Sequence, residues 1–281
     1  MVHRRLSTLA WVLALVALAG PPLRAELIAQ YQLDGNWTDS SAQGFNATPN
    51  GNPTFTSGRI GQAADFDGSG DYADIADPVT NTPPFTVAAW VRTHFLPPSG
   101  VAQDNHYALS NGGQTSTGHG FSLRLDYAAD GTPQWAFSVR DTTGDGTDAL
   151  SGTDSATTDW THLVGTWDGG TTAGSAHLYV DGQLVSSPAF QSLPHGGSQD
   201  LRLGGPSNVT SYLWDGLLDE IGVWNEVLTE RQTRILYRVF DGDIAEFEAN
   251  GRLPEPTASA LSLLAALLLA ARRRVRIPDV T

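Results

Sequence analysis

A retaining glycosidase works with two carboxylates about 5–5.5 Å apart, one on each side of the bond it breaks. On a β-strand that requires acids at alternate positions, typically a Glu-x-Asp-x-Glu run facing a groove. The seven glutamates of this chain stand at 26, 220, 226, 230, 246, 248 and 255, and none starts such a run. Asp65-Phe66-Asp67 is an alternating acid pair with no glutamate beside it. There is no Gly-x-Ser-x-Gly elbow and no His-Glu-x-x-His pair, and the seven histidines lack metal-ligand spacing. His162, between Trp160 and Val164, reads as a packed or hydrogen-bonded residue rather than a base. The expectation is a protein that is not an enzyme, with a glycan-active hydrolase as the alternative.

Binding chemistry is better represented. Sugar-binding faces stack aromatic rings on pyranoses and add a few polar groups. The body of the chain carries Trp37, Trp90, Trp135, Trp160, Trp167, Trp214 and Trp224. "DTTGDGTD" (141–148) has half the acid pattern of a calcium-binding loop, but its twelfth position is Gly152 instead of glutamate. It reads as an acidic hairpin loop.

Charge narrows the partners. All sixteen basic residues are arginine. Residues 26–253 hold nine arginines against twenty-eight acids, a net of −19. Such a body repels nucleic acid and anionic lipid surfaces and favours bound cations. With no cysteine anywhere, stability must come from the core, from bound ions, or from both.

The elements that would position these groups are short strands between Gly, Asn, Asp and Ser clusters. Phe85–Thr93 alternates with period two, with Phe85, Val87, Ala89 and Val91 on one face and Thr86, Ala88, Trp90 and Arg92 on the other. Similar runs cover 121–126, 134–140, 160–167 and 177–180. The last meets Asp181-Gly182, a hairpin signal, with 183–187 returning. Repeated short strands and thirty glycines point to an all-β sandwich. One helix is expected after Thr229, through Phe240. Thr229 and Gln232 have capping-box spacing, and Ile235, Leu236, Val239 and Phe240 form its apolar stripe. Residues 241–252, acidic and without a period, read as a linker.

Both ends differ from this body. Residues 1–25 run from His3-Arg4-Arg5 through an apolar stretch to Ala25, the layout of a cleaved signal peptide. At the other end come Pro254-Glu255-Pro256, a mostly Ala and Leu run over 258–271, then Arg272-Arg273-Arg274 and Arg276. As a membrane span the run is short, but arginines at its end snorkel and extend its reach. Positive residues after the span would keep that end cytoplasmic and hold the body outside. Residues 253–276 resemble the PEP-CTERM sorting signal of exopolysaccharide-producing Gram-negative bacteria. The resemblance implies a partner, an exosortase-type enzyme that cuts near Pro-Glu-Pro, and only transient membrane anchoring.

The body resembles a family too. "YQLDGNWTDSSAQGFNAT" (31–48), "GRIGQAADFDGSGDYADI" (58–75), "WTHLVGTWDGGTTAGSAHLYVDGQLVSS" (160–187) and "LRLGGPSNVTSYLWDGLLDEIGVWNEVLTERQ" (201–232) occur in the order and spacing of laminin G-like jelly rolls of the concanavalin A-like lectin/glucanase superfamily. The resemblance implies a two-sheet antiparallel jelly roll over 26–240. It also implies a structural Ca²⁺ tying first strand to last, held by Asp34, the Asp67-Gly68 turn and Asp219. Asp219 and Glu220 are adjacent in a strand, so only one is expected to face the ion. Trp90, Trp160 and Trp224 fall in family core motifs and are expected to be buried. Tyr107, Trp135 and Trp214 lie in less family-like stretches near loops and are the candidates for an exposed sugar platform. The whole reads as an exported envelope or extracellular-matrix protein. Its jelly roll would bind carbohydrate or protein without catalysis, or serve as a purely structural matrix component.

Overall fold

The period-two runs become strands, and their apolar faces close on one another. The computed structural model describes residues 26–76, 83–96, 104–112, 120–140, 146–170, 175–188, 200–207 and 209–251. Residues 1–25, expected as a signal peptide, and the expected sorting tail with Pro254-Glu255-Pro256, the run 258–271 and Arg272-Arg273-Arg274 lie outside the described residues.

Fifteen strands are described: β1 Leu27–Tyr31, β2 Thr48–Asn50, β3 Thr54–Ser57, β4 Gln62–Asp67, β5 Tyr72–Ile75, β6 Phe85–Thr93, β7 His106–Ser110, β8 Gly120–Tyr127, β9 Pro133–Arg140, β10 Gly146–Leu150, β11 Thr161–Trp167, β12 Ala176–Val180, β13 Gln183–Ser186, β14 Leu201–Leu203 and β15 Asp215–Trp224. They form two antiparallel sheets. One runs β13-β12-β11-β6-β15-β4-β3, with β1 also paired to β15; the other runs β10-β9-β8-β7-β14-β5-β2. The expected hairpin is present: Asp181 and Gly182, both with positive φ, join β12 to β13.

Between the sheets lies the main core. Phe85, Val87, Ala89 and Val91 of β6 meet Phe121, Leu123 and Leu125 of β8 and Trp135, Phe137 and Val139 of β9. Gly165 of β11 admits the Phe137 ring, where a Cβ would collide with it. Among the described residues a second cluster covers the other side of the first sheet. There Ala88, Val164, Tyr179 and Trp224 pack under helix α1, Glu230–Phe240, and a short helical turn α2, Ile244–Glu246. Both clusters are built from residues 28–247, so the unit Ala25–Gly251 carries its own core.

Three expectations need correction. Residues 241–251 are not a linker. Ile244 and Phe247 are fully buried in the second cluster, and Trp224 Nε1 donates to Glu248 Oε1 at 2.8 Å. Val239 is 66% exposed, so the apolar stripe of α1 is Ile235, Leu236 and Phe240, with Thr233 buried beside it and Tyr237 packed on Trp90 and His162. Trp160 precedes β11 and is only half-buried, whereas Trp90 and Trp224 are buried as expected. The capping box holds: Thr229 and Gln232 bond reciprocally. Among the described residues no helix is long and apolar enough to cross a membrane.

Candidate functional site

The expected sugar platform does not form. Trp135 and Trp214 are both 0% exposed and lie together in the core, ring centroids 6.3 Å apart. Trp135 shares a strand face with Phe137 and Val139, so β9 turns it inward. Tyr107 is also buried, beneath the Arg124 guanidinium at 5.8 Å from its ring centroid.

What the fold does assemble is a polar row on the outer face of the seven-stranded sheet. Residues paired across a sheet point to the same side. Thr48 pairs with Asp74, Asp74 with Arg202, Arg202 with Ser110, Ser110 with Ser122, Ser122 with Ser138, and Ser138 with Asp148. Their apolar chain neighbours, such as Leu201, Leu203, Leu123, Phe137 and Ala149, face the core. The row spans all seven strands, about 29 Å at the usual strand spacing. A second line lies two residues along, where Asn50 pairs with Tyr72 and Tyr107 pairs with Arg124.

Charge on this face is paired. Arg124 donates through Nε and Nη2 to Asp126 Oδ1 at 3.1 and 3.0 Å, and through Nη1 to Ser122 Oγ at 3.1 Å and to Ser138 Oγ. Its Nη2 also lies 3.2 Å from Asp148 Oδ2. Gln134 Nε2 donates to the other Asp126 oxygen at 3.0 Å, and Arg140 Nη2 donates to Asp148 Oδ1 at 3.0 Å. Three strands away, Arg202 forks onto Asp74 at 2.7 and 3.2 Å and covers the half-buried Tyr72 ring at 3.9 Å. Burial opposes ionisation of Asp148, yet Arg124, the Ser138 hydroxyl and Arg140 hold its carboxyl below the usual range. The guanidinium of Arg124 is likewise held charged against its burial, chiefly by Asp148. The floor is buried, whereas the side chains of Asp74, Arg140 and Asp148 are about a third exposed.

Sequence reasoning missed Arg124, Asp126, Gln134, Asp148 and Arg202. The signal was the outward half of each alternation, Ser122-x-Arg124-x-Asp126 in β8 and Ser138-x-Arg140 in β9.

A family model for the concanavalin A-like lectin/glucanase superfamily matches residues 67–233. The chain belongs to this superfamily. Solved structures share the fold at low identity. Domain 4 of AbnA, a GH43 extracellular arabinanase from Geobacillus stearothermophilus solved with arabinotriose, is 21% identical with a TM-score of 0.57, covering 76% of this chain and 98% of that one. The binding domain of Paraclostridial Mosquitocidal Protein 1 is 13% identical at TM-score 0.56, covering 77% of this chain. The botulinum neurotoxin type G receptor-binding domain is 14% identical at TM-score 0.55, covering 76%. The chain spans about half the length of these two. No curated protein matches the sequence.

The Ca²⁺ ligand set expected for this lectin/glucanase-superfamily chain is split. Asp67 pairs with Asp215, four residues along β15 from Asp219, which puts it about 13 Å away at the usual strand rise. Asp67 instead accepts from Ser69 N at 2.8 Å, within the Gly68 turn. Asp34 and Asp219 do converge, on the turn at 58–61. Asp219 Oδ2 accepts from Arg59 N and Ile60 N at 2.8 and 2.9 Å, and Asp34 Oδ1 accepts from Gln62 N at 2.6 Å.

Glu220, next along β15, turns elsewhere: its Oε2 accepts from Ile244 N at 3.4 Å. Its φ of 43° and a break in β15 register defeat simple alternation. Both acids are buried, and both carboxyls are pushed up, to about 7 for Asp219 and about 8 for Glu220, with burial as the main cause. These oxygen donors suit a hard cation. Among the described residues, though, no group of three or more His, Asp or Glu is arranged to hold a metal ion.

Proposed function

We propose that this is an exported, non-catalytic carbohydrate-binding jelly roll whose ligand lies on the outer face of the seven-stranded sheet. The observation that carries the reading is the seven-residue polar row crossing every strand of that sheet, with partly exposed acids and an arginine at its rim. Forked Arg–Asp pairs and an aromatic ring are the groups that orient sugar hydroxyls. The arabinotriose-bound arabinanase domain and the receptor-binding domains sharing this fold lend support. Against catalysis, none of the seven glutamates begins an alternating acid run of the kind a glycosidase strand carries.

A glycan array with residues 26–251, in calcium and in chelator, tests the reading. Selective binding that Tyr72→Ala and Asp148→Ala both weaken supports it; no binding in either buffer, or binding untouched by both changes, overturns it. Asp34 and Asp219 are the residues that would hold a structural Ca²⁺ as a clamp between β1 and β15. Export and exosortase-type sorting follow from the two ends of the sequence. The mature protein should then lack residues beyond about Pro256, and an intact C-terminus by mass spectrometry from the native host would contradict sorting.

A further inference from the structure

We infer that Asn36 is an acceptor for N-linked glycosylation, its glycan delivered whole from a polyprenyl-pyrophosphate donor. The inference rests on the export proposed above and is independent of the carbohydrate-binding reading.

The sequence supplies the acceptor. Asp34-Gly35-Asn36-Trp37-Thr38 contains the Asn-x-Thr triplet that N-glycosylating transferases read, with no proline in the middle. Two other such triplets occur, Asn46-Ala47-Thr48 and Asn208-Val209-Thr210. Only the first has an acid two residues ahead, Asp34; Gly44 and Pro206 hold that place in the others. A carboxylate there gives a cationic pocket on the transferase a charged group to grip.

The structure separates the triplets further. A transferase must draw the asparagine amide into its own active site, so the triplet has to sit on an exposed stretch free of strand pairing. Asn46-Ala47-Thr48 fails this. Ala47 is buried with its N–H bonded to Trp37 O, and Thr48 opens β2, paired with Asp74. Asn208 lies outside the described residues. Residues 32–39, by contrast, belong to no strand, and Leu33 and Gly35, with φ of 58° and 72°, bend the chain just ahead of the triplet. Trp37 anchors the loop, its ring centroid 5.1 Å from that of Phe55 and 6.0 Å from that of Phe66. With the middle residue packed against the core, Asn36 and Thr38 on either side of it are both exposed. Thr38 N donates to Asn36 Oδ1 at 2.9 Å. Asn36 Nδ2 gives one N–H to Asp34 O at 3.2 Å and keeps the other free.

The chemistry needs only that amide and the donor. Asn36 Nδ2 attacks the anomeric carbon of the donor's first sugar. A C–N bond forms and the C–O bond to the pyrophosphate breaks. The lipid pyrophosphate leaves with the bonding pair, and the amide proton passes to a carboxylate of the transferase.

Mass spectrometry of the full chain purified from its native host tests this. The chain has no lysine and no arginine between Arg24 and Arg59, so one tryptic peptide holds both Asn36 and Asn46, and its fragmentation assigns the site. The expected result is an oligosaccharide on Asn36 and none on Asn46. Asn36→Gln and Thr38→Ala should each remove it and Thr38→Ser should restore it, with the melting temperatures showing that the fold is kept. A bare Asn36, a glycan on Asn46 instead, or a glycan that survives Thr38→Ala would overturn the inference. A single hexose on Asn36 would overturn the lipid-linked donor.

Discussion

His162 is the residue at which burial and titration meet most sharply. It is fully buried between Trp90 and Tyr237, and neither ring nitrogen has a hydrogen-bond partner. Burial pushes its pKa down to about 3. The folded protein holds it neutral, while the unfolded chain takes a proton below about 6.5. Its contribution to stability is complete above that pH and is lost as pH falls from 6.5 toward 3. His162→Phe should remove this limb, so that urea titrations at pH 7 and pH 4 show the variant gaining ~3 kcal/mol on the parent at the lower pH. An unchanged difference would contradict a neutral buried imidazole. Arg124 fails in a different way. Removing it leaves Asp126 and Asp148 without their shared counter-ion, and Arg124→Ala should cost about 3–5 kcal/mol by chemical denaturation.

At the scale of elements, the strands were legible because their apolar residues recur every second position. The same rule, applied to 133–140, sets Trp135 beside Phe137 and Val139; proximity to loops was the weaker clue. The polar row was not legible. Its members lie on β2, β5, β7, β8, β9, β10 and β14, and only long-range pairing lines them up. Residues 241–251 were misread because three residues anchor the segment without a period. Asp241 accepts from Trp90 Nε1 at 2.8 Å and pairs with Arg59, while Ile244 and Phe247 fill the space under α1. Gly242 makes this close approach possible: its φ is 81°, and a Cβ would run into Trp90 Nε1. Gly242→Ala should destabilise the unit by several kcal/mol and expose Trp90, visible as a red-shifted tryptophan emission. A variant with the parent's stability and emission would show that 241–251 can undock freely.

For the whole molecule, the issue is how a sandwich without disulfides holds its first and last strands together. β1 pairs with β15 directly, Asp34 and the buried Asp219 meet on the turn at 58–62, and the buried Glu220 follows Asp219 in β15, with no arginine side chain paired to them among the described residues. A bound Ca²⁺ would offset their charge. Chelation should then lower the melting temperature of residues 26–251 by several degrees, and Asp219→Ala should abolish the difference. No shift on chelation would mean the acids stay partly protonated and the clamp is absent.

The central claim is the position of the binding face, and nuclear magnetic resonance mapping addresses it most directly. Residues 26–251 labelled with ¹⁵N would be titrated with the best oligosaccharide from the array. The account requires the largest shifts at Tyr72, Asp74, Arg124, Arg140 and Asp148, running across β5 and β8–β10. Shifts confined to β11–β13, α1 or the turn at 58–61 would place the ligand on the other side of the sandwich and contradict it.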